Sequence, residues 1–206
     1  MNLSQYKYPH SGSYRNLYMW FEYETINLLV EEAMMRILGI DPGIALTGFG
    51  IIDSNRDGMK AGKYGHISTK AHTPPPERLK IVYDDMLQIL VEYKPDVMAI
   101  EELFFNNNAK TVMIASQARG VIILAAVNCG VDIVEYTPLQ VKQAVIGYGR
   151  ASKQQVQYMV TKLLDLEEVP KPDDTADALA IAICHANSAE VLRQEQKSRG
   201  TNVRTY

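Results

Sequence analysis

The chain has 206 residues, of which 47% are hydrophobic and 22% are charged, as in an ordinary globular domain. Its 21 Lys and Arg against 24 Asp and Glu give a formal charge of −3, which argues against a strongly basic nucleic-acid binder. No run of about 18 apolar residues predicts a transmembrane helix, so we expect no membrane association. Cys129 and Cys184 have neither metal-ligand nor paired spacing, which favours a reducing, cytoplasmic setting.

Residues 1–34 differ from the rest of the chain, because they are polar and rich in aromatic side chains. They carry no clear secretory signal. A buried-strand pattern begins abruptly after Met34-Met35, which would be a natural initiation point. We therefore expect residues 1–34 to be an N-terminal extension outside the core. The alternative is a genuine N-terminal arm that packs on the domain or tethers it.

The remaining residues predict alternating strands and helices, and hence an α/β fold. Strands are predicted at residues 36–41, 47–53, 63–69, 97–101 and 132–136. Helices are predicted from Pro74-Pro75-Pro76 onward and at residues 110–129, 138–146, 152–165 and 173–189. The first two strands form a hairpin through Pro42-Gly43. We expect a mixed five-stranded sheet with helices on both faces over 35–189, and a polar, disordered tail at 190–206.

Four acidic residues occupy positions that a hydrophobic core disfavours. Asp41 and Glu101 each end an apolar strand, while Asp174 and Asp177 share one face at the start of an apolar helix. Carboxylates brought together repel one another, and a divalent cation removes that conflict. Oxygen ligands suit Mg²⁺ or Mn²⁺, and two such ions about 3.5–4 Å apart support phosphodiester cleavage.

Each acidic residue also has an ordinary structural interpretation. Asp41 before Pro-Gly could be a turn residue, Asp174 an N-cap, and Asp177 a first-turn acid that the helix dipole favours. Glu101 could lie at the surface, and Glu102 competes for its role. Strand alternation sends these two glutamates to opposite faces, so only one of them can face Asp41.

An ordered set of short motifs resembles the RuvC family of bacterial Holliday-junction resolvases. The matching segments are Ile37–Gly43, Thr47–Gly50, Ala99–Glu101, Gln117–Gly120, Val141–Gln143, Lys153 with Gln155–Gln157, and Asp174–Ala180. Each motif is weak alone, whereas their order and spacing over residues 35–189 are specific. The resemblance implies an RNase H-like fold and a homodimer that nicks four-way DNA junctions symmetrically in recombination and repair.

The resemblance also assigns the catalytic and metal-binding roles. It makes Asp41, Glu101, Asp174 and Asp177 the catalytic carboxylates and the ligands of two Mg²⁺ ions per subunit, for which Mn²⁺ can substitute. One ion would activate the attacking water and the other would stabilise the departing 3′ oxygen, which leaves 5′-phosphate ends. Some relatives have histidine at the third position, and the neighbouring Asp173 is an additional acid.

Other residues are expected to contact DNA. Lys142 and Lys153 match family positions near the phosphate backbone, although a lone lysine is usually a solvated surface residue. Arg119 could contact phosphate or pair with an acid. An aromatic loop after Glu101 could stack on a base, or its rings could belong to the core. The predicted DNA-binding residues are Phe104 (with Phe105 the less certain neighbour), Asn108, Arg119, Lys142 and Lys153. RuvA and RuvB are the expected protein partners.

The long helix over residues 112–127 is the candidate dimer surface, although ordinary core packing explains its apolar side chains equally well. Three alternative functions remain open. The Gly39–Gly43 hairpin also resembles the phosphate-binding hairpin of actin-like ATPases and sugar kinases, but a second such lobe is missing. The chain could instead bind junctions without cleaving them, or be a related nuclease that acts on RNA–DNA hybrids or other structured DNA.

The acidic charge balance does not exclude DNA binding once the charges are located. Residues 1–34 contribute −2, which leaves −1 for the remainder. Setting aside the four candidate metal ligands leaves +3 for the rest of the predicted domain and its tail.

Overall fold

The computed structural model describes residues 34–102 and 109–201, which belong to one compact unit beginning at Met34. The five strands are β1 (Met35–Asp41), β2 (Leu46–Asn55), β3 (Gly58–Ser68), β4 (Val97–Glu101) and β5 (Asp132–Tyr136). The helices are α1 (Pro75–Tyr93), α2 (Ala109–Asn128), α3 (Pro138–Ile146), α4 (Lys153–Leu163) and α5 (Asp173–Thr201). None of these helices is long and apolar enough to cross a membrane.

The strands form one mixed sheet in the order β3-β2-β1-β4-β5. Strands β1, β2 and β3 are antiparallel neighbours, whereas β4 pairs in parallel with both β1 and β5. The parallel pairs require crossover connections, which α1 and α2 supply. The predicted mixed five-stranded sheet is therefore confirmed.

Strand alternation divides the core between the two faces of the sheet. Leu38 and Ile40 of β1 pack with α1 and α2, while Ile37 packs with α3, α4 and α5. Helices therefore cover both faces, as predicted. Asp41 has the same parity as Ile37, so its side chain belongs to the α5 face.

The strand glycines Gly39, Gly48 and Gly50 allow α5 to approach the sheet more closely than side chains would permit. A Cβ atom on Gly39 would lie 2.0 Å from the Ala178 carbonyl oxygen, and one on Gly50 would lie 2.6 Å from the Leu179 side chain. A glycine inside a strand often marks such a close approach. The absence of side chains here therefore fixes the depth at which α5 lies.

Two element boundaries differ from the sequence-based expectation. Strand β3 begins at Gly58, directly after the turn, because backbone pairing with β2 holds its polar and glycine-containing first half. The backbone of α5 continues to Thr201, whereas we expected a disordered tail from residue 190. This segment has no proline and is rich in Arg, Gln, Glu and Lys, which are good helix formers.

Candidate active site

Asp41 and Glu101 lie side by side where two parallel strands end. Ile40 of β1 pairs with Ile100 of β4, so the following acidic residues occupy adjacent positions at the same edge of the sheet. Glu101 shares its strand parity with Val97 and Ala99, which pack on the α5 face. Glu101 rather than Glu102 therefore faces the same side as Asp41.

The N-terminal end of α5 brings Asp174 and Asp177 to this edge. Asp41 pairs with Gly48 of β2, and a Cβ on Gly48 would lie only 1.9 Å from the Asp174 carbonyl oxygen. The buried Thr175 hydroxyl donates a 3.1 Å hydrogen bond to the Gly65 carbonyl of β3. Backbone contact and this hydrogen bond together fix the turn that carries both aspartates.

The carboxylates raise one another's pKa values. Burial, together with repulsion from Glu101, Asp177 and Asp174, raises the pKa of Asp41 to about 8. Burial, followed by repulsion from Asp177, raises the pKa of Glu101 to about 6. Burial also raises the pKa of Asp177, although Lys153 opposes this shift. Such a cluster holds excess negative charge in a partly desolvated place, which favours binding of a cation.

Lys153 supplies one cation to this cluster. Its ammonium lies 2.7 Å from Asp173 and 2.8 Å from Asp177. Although burial lowers the pKa of Lys153, the hydrogen bonds to these two aspartates outweigh burial and raise it. The hydrogen bond from Lys153 lowers the pKa of Asp173. Lys153 is therefore a charged part of the site.

A cavity of about 190 Å³ opens beside the carboxylates. Glu101, Asp177, Lys142 and Lys153 are its polar lining residues, and the other lining residues are apolar. The apolar lining residues are Pro138, Val141, Val156, Ala180 and Ile181. Lys142 also opposes the rise in the pKa of Glu101, so both lysines act electrostatically on the carboxylates. Both lysines, which the sequence analysis predicted as contacts for the DNA backbone, therefore lie beside the candidate carboxylates.

The donor set has the chemistry of a site for a hard divalent cation. All four side chains offer only carboxylate oxygens, the ligands that Mg²⁺ and Mn²⁺ prefer. Within residues 34–102 and 109–201, however, no three His, Cys, Asp or Glu side chains are arranged to bind a single ion. Asp177 is instead paired with Lys153. The residue types therefore fit a metal site, and binding would require their side chains to rearrange.

Of the remaining predicted DNA-binding residues, the structure describes only Arg119. The Arg119 guanidinium lies 2.6 Å from Glu135 and is largely buried, which favours the alternative of pairing with an acid. Phe104 and Asn108 lie outside the described residues, as does Phe105. Sequence reasoning noted Asp173 only as an additional acid and missed its pairing with Lys153. Their separation of 20 positions gave no local signal of this contact.

The chain is similar to known proteins over most of its length. The family model for crossover junction endodeoxyribonuclease RuvC matches residues 37–185. RuvC of Desulfitobacterium hafniense is 56% identical over 160 residues, which cover 78% of this chain and 97% of the relative. RuvC of Brevibacillus brevis is 57% identical over 152 residues, covering 74% and 92% respectively.

Solved structures agree with the sequence comparison. Thermus thermophilus RuvC superimposes with a TM-score of 0.71 at 35% identity, covering 76% of this chain and 96% of that one. The same protein in complex with a Holliday junction substrate gives a TM-score of 0.70 at 33% identity and equal coverage. The predicted RNase H-like fold and the resemblance stated from the motifs are both confirmed. The chain therefore belongs to the RuvC family of crossover junction endodeoxyribonucleases.

Proposed function

We propose that this chain resolves four-way (Holliday) DNA junctions by paired symmetric nicks, in recombination and DNA repair. The observation that carries this proposal is the convergence of Asp41, Glu101 and Asp177 beside Lys142 and Lys153. The site combines an anionic centre with cationic neighbours, which suits cleavage of a phosphodiester in a bound DNA strand. Membership of the RuvC family supports four-way junctions as the substrate.

The decisive experiment compares a synthetic four-way junction with a linear duplex of the same sequence, in Mg²⁺ and in EDTA. We expect symmetric, metal-dependent nicks in the junction alone, with a 5′-phosphate at each cut. Cleavage of an RNA–DNA hybrid in preference to the junction would instead identify a different RNase H-like nuclease. Binding of the junction without cleavage in any divalent metal would identify a non-catalytic junction binder.

The carboxylates of Asp41, Glu101, Asp174 and Asp177 would hold the metal. We propose two Mg²⁺ ions per subunit, with Mn²⁺ able to substitute; when bound, such ions activate water for attack and neutralise the departing 3′ oxygen. The rigid backbone of β1 and β4 orients the first two side chains, and the α5 turn orients the other two. Asp41, at the centre of the mutual repulsion, is our candidate for the ligand shared between both ions.

The cationic side chains would bind the DNA backbone. Lys142 lines the cavity beside Glu101, and the half-exposed Lys153 ammonium can reach a phosphate without leaving the site. Their charge would position the scissile phosphate against the carboxylates and offset repulsion between them. Phe104 and Asn108 remain our candidates for contacts at the junction centre. Arg119 is retained as a weaker candidate, because its charge is already shared with Glu135.

A homodimer would supply the second cleavage site. Symmetric resolution requires two nicks, and two-fold symmetry relates two equal sites. Helix α2 exposes Met113, Gly120, Leu124 and Val127, whose spacings of seven, four and three residues place them on one side of the helix, as in helix–helix seams. A Cβ atom on Gly120 would meet nothing within 4 Å, so a partner helix can approach closely here. We therefore propose α2 as the dimer surface.

The proposed function also suggests the domain bounds, the protein partners and the cellular location of the chain. We propose that residues 35–189 form the nuclease domain and that residues 1–34 lie outside it. RuvA and RuvB are proposed as partners that move the junction before cleavage. A chain that acts on chromosomal DNA in bacteria is expected in the cytoplasm. Gel filtration of the protein mixed with RuvA and RuvB on a junction would test the partnership.

A further inference from the structure

The loop between α3 and α4, residues 147–152, holds an aromatic ring at the protein surface. Tyr148 is 48% exposed. Its hydroxyl accepts a 3.1 Å hydrogen bond from the Gln155 amide nitrogen, and the Gln155 amide oxygen accepts a 2.8 Å hydrogen bond from the Ser152 backbone. The hydroxyl end of Tyr148 is therefore tied to the first turn of α4, while much of the residue remains open to solvent.

Close packing fixes the backbone on either side of this ring. Gly147 ends α3 in the left-handed region, with φ of 91°. A Cβ atom on Gly149 would lie 2.1 Å from the Leu139 side chain, so the loop lies directly on α3. A ring held in place before binding loses little conformational entropy when a ligand contacts it.

The loop joins the two helices that carry the cationic side of the candidate site. Helix α3 supplies Lys142 to the cavity wall, and α4 begins with Lys153, which contacts Asp177. Ser152 caps α4 through the same Gln155 that holds Tyr148. Arg150, exposed in the loop, adds a further positive charge. An aromatic surface flanked by cationic side chains suits a nucleotide, whose base stacks and whose phosphate is anionic.

We propose that Tyr148 is a stacking platform for an unpaired base of the DNA strand beside the cleavage site, with Arg150 contacting a neighbouring phosphate. This inference rests on the proposed function and adds a contact to it. Stacking requires the ring, whereas its hydroxyl serves only to hold the ring on Gln155. The contribution of Tyr148 is therefore separable by substitution from that of Lys142 and Lys153.

The test uses the full chain carrying Asp41→Asn, so that binding is measured without cleavage. The probe is a four-way junction with 2-aminopurine at successive positions near its centre. Tyr148→Ala and Tyr148→Leu should weaken junction binding by about 5- to 100-fold and abolish quenching at one position. Tyr148→Phe should bind within about 2-fold of the parent. Arg150→Gln should reduce the salt dependence of binding by about one counterion.

Tyr158→Ala is the matched control. Tyr158 is 59% exposed on α4 but lies roughly 140° around the helix from Lys153, beneath the Lys162 ammonium. Its loss should leave junction affinity unchanged. The inference is overturned if both the Leu and Ala variants, folded by thermal melting, bind within 2-fold of the parent or keep all quenching. If the Asp41→Asn parent binds junction and duplex equally, it is the proposed function that fails.

Discussion

The Lys153 ammonium lies 2.8 Å from a carboxylate oxygen of Asp177, so the protein's own cation neutralises part of its candidate metal site. Asp173 holds the same ammonium from the solvent side at 2.7 Å. A divalent cation that takes Asp177 as a ligand must therefore compete with Lys153. Asp173 would keep the displaced ammonium close to the site, where it can contact the DNA phosphate.

Replacing Lys153 with Met should make the protein more dependent on divalent metal for its stability. In EDTA the carboxylates lose a counter-ion, and because Lys153 is half-exposed we expect a destabilisation of only about 0.5 kcal/mol. Added Mg²⁺ should then raise the melting temperature by more than it does in the unaltered protein. Differential scanning fluorimetry over a Mg²⁺ titration measures both effects.

Lys162→Met, on the same helix, provides the comparison for Lys153. Lys162 lies over the Tyr158 ring and is not among the groups acting on the carboxylate pKa values given above. Its replacement should leave the Mg²⁺ response unchanged. Identical responses in the two variants would contradict competition between metal and Lys153.

Asp41→Asn should abolish cleavage while stabilising the metal-free protein. The folded-state pKa of Asp41, about 8, lies above the ordinary carboxyl value, so the unfolded chain releases this proton first. The free energy of unfolding of the unaltered protein therefore loses a contribution as pH rises from about 4 to about 8. The variant lacks that loss. The difference between its free energy of unfolding and that of the unaltered protein should therefore grow by roughly 1 kcal/mol or more across this range.

Urea unfolding in EDTA at several pH values measures the effect of Asp41→Asn on stability. Junction binding by the variant should remain close to that of the unaltered protein, because Asp41 carries no positive charge for phosphate. A constant stability difference from pH 4 to pH 8 would contradict the pKa assignment. Retained cleavage in Mg²⁺ would contradict the catalytic role.

Gly48→Ala should disturb the site without touching any carboxylate. The new Cβ would meet the Asp174 carbonyl at 1.9 Å, and backbone cannot yield as a side chain does. We expect a destabilisation of about 3 kcal/mol and a loss of cleavage larger than the loss of junction binding. Gly62→Ala is the control, because its Cβ would meet the Ile51 side chain at 3.1 Å. A loss of stability and cleavage for Gly48→Ala as small as that for Gly62→Ala would show that α5 can shift freely.

Leu124→Glu should convert the proposed dimer to a monomer. Leu124 is 51% exposed on the proposed dimer surface of α2, and a charge there would be buried between two helices. Sedimentation velocity at micromolar concentration should show a dimer for the unaltered chain and a monomer for the variant. Val91→Glu, at a 64% exposed position on α1, should remain dimeric. A dimer that persists in Leu124→Glu would exclude this surface.

Sequence reasoning reached the carboxylates because strands and helices have strong local patterns. Asp41 and Glu101 end apolar runs, and Asp174 with Asp177 begins another, which made all four candidates for a metal site. The resemblance to the RuvC family then assigned their shared role. Contacts between distant side chains had no such signal. The pairing of Arg119 with Glu135 and the position of β3 depend on tertiary packing and on edge-strand pairing, which residue periodicity does not encode.

The glycines beneath α5 have a consequence for the accuracy of the catalytic geometry. Because the helix rests on strand backbone at Gly39 and Gly48, the spacing between the backbone of its two aspartates and the backbone of the sheet's acidic residues is set by covalent bond lengths and van der Waals radii. Side-chain rotamers, which thermal motion samples, set only where each carboxylate lies relative to that backbone. The sheet therefore holds the helix at a fixed distance, and core substitutions elsewhere can accumulate without altering the backbone spacing across the site.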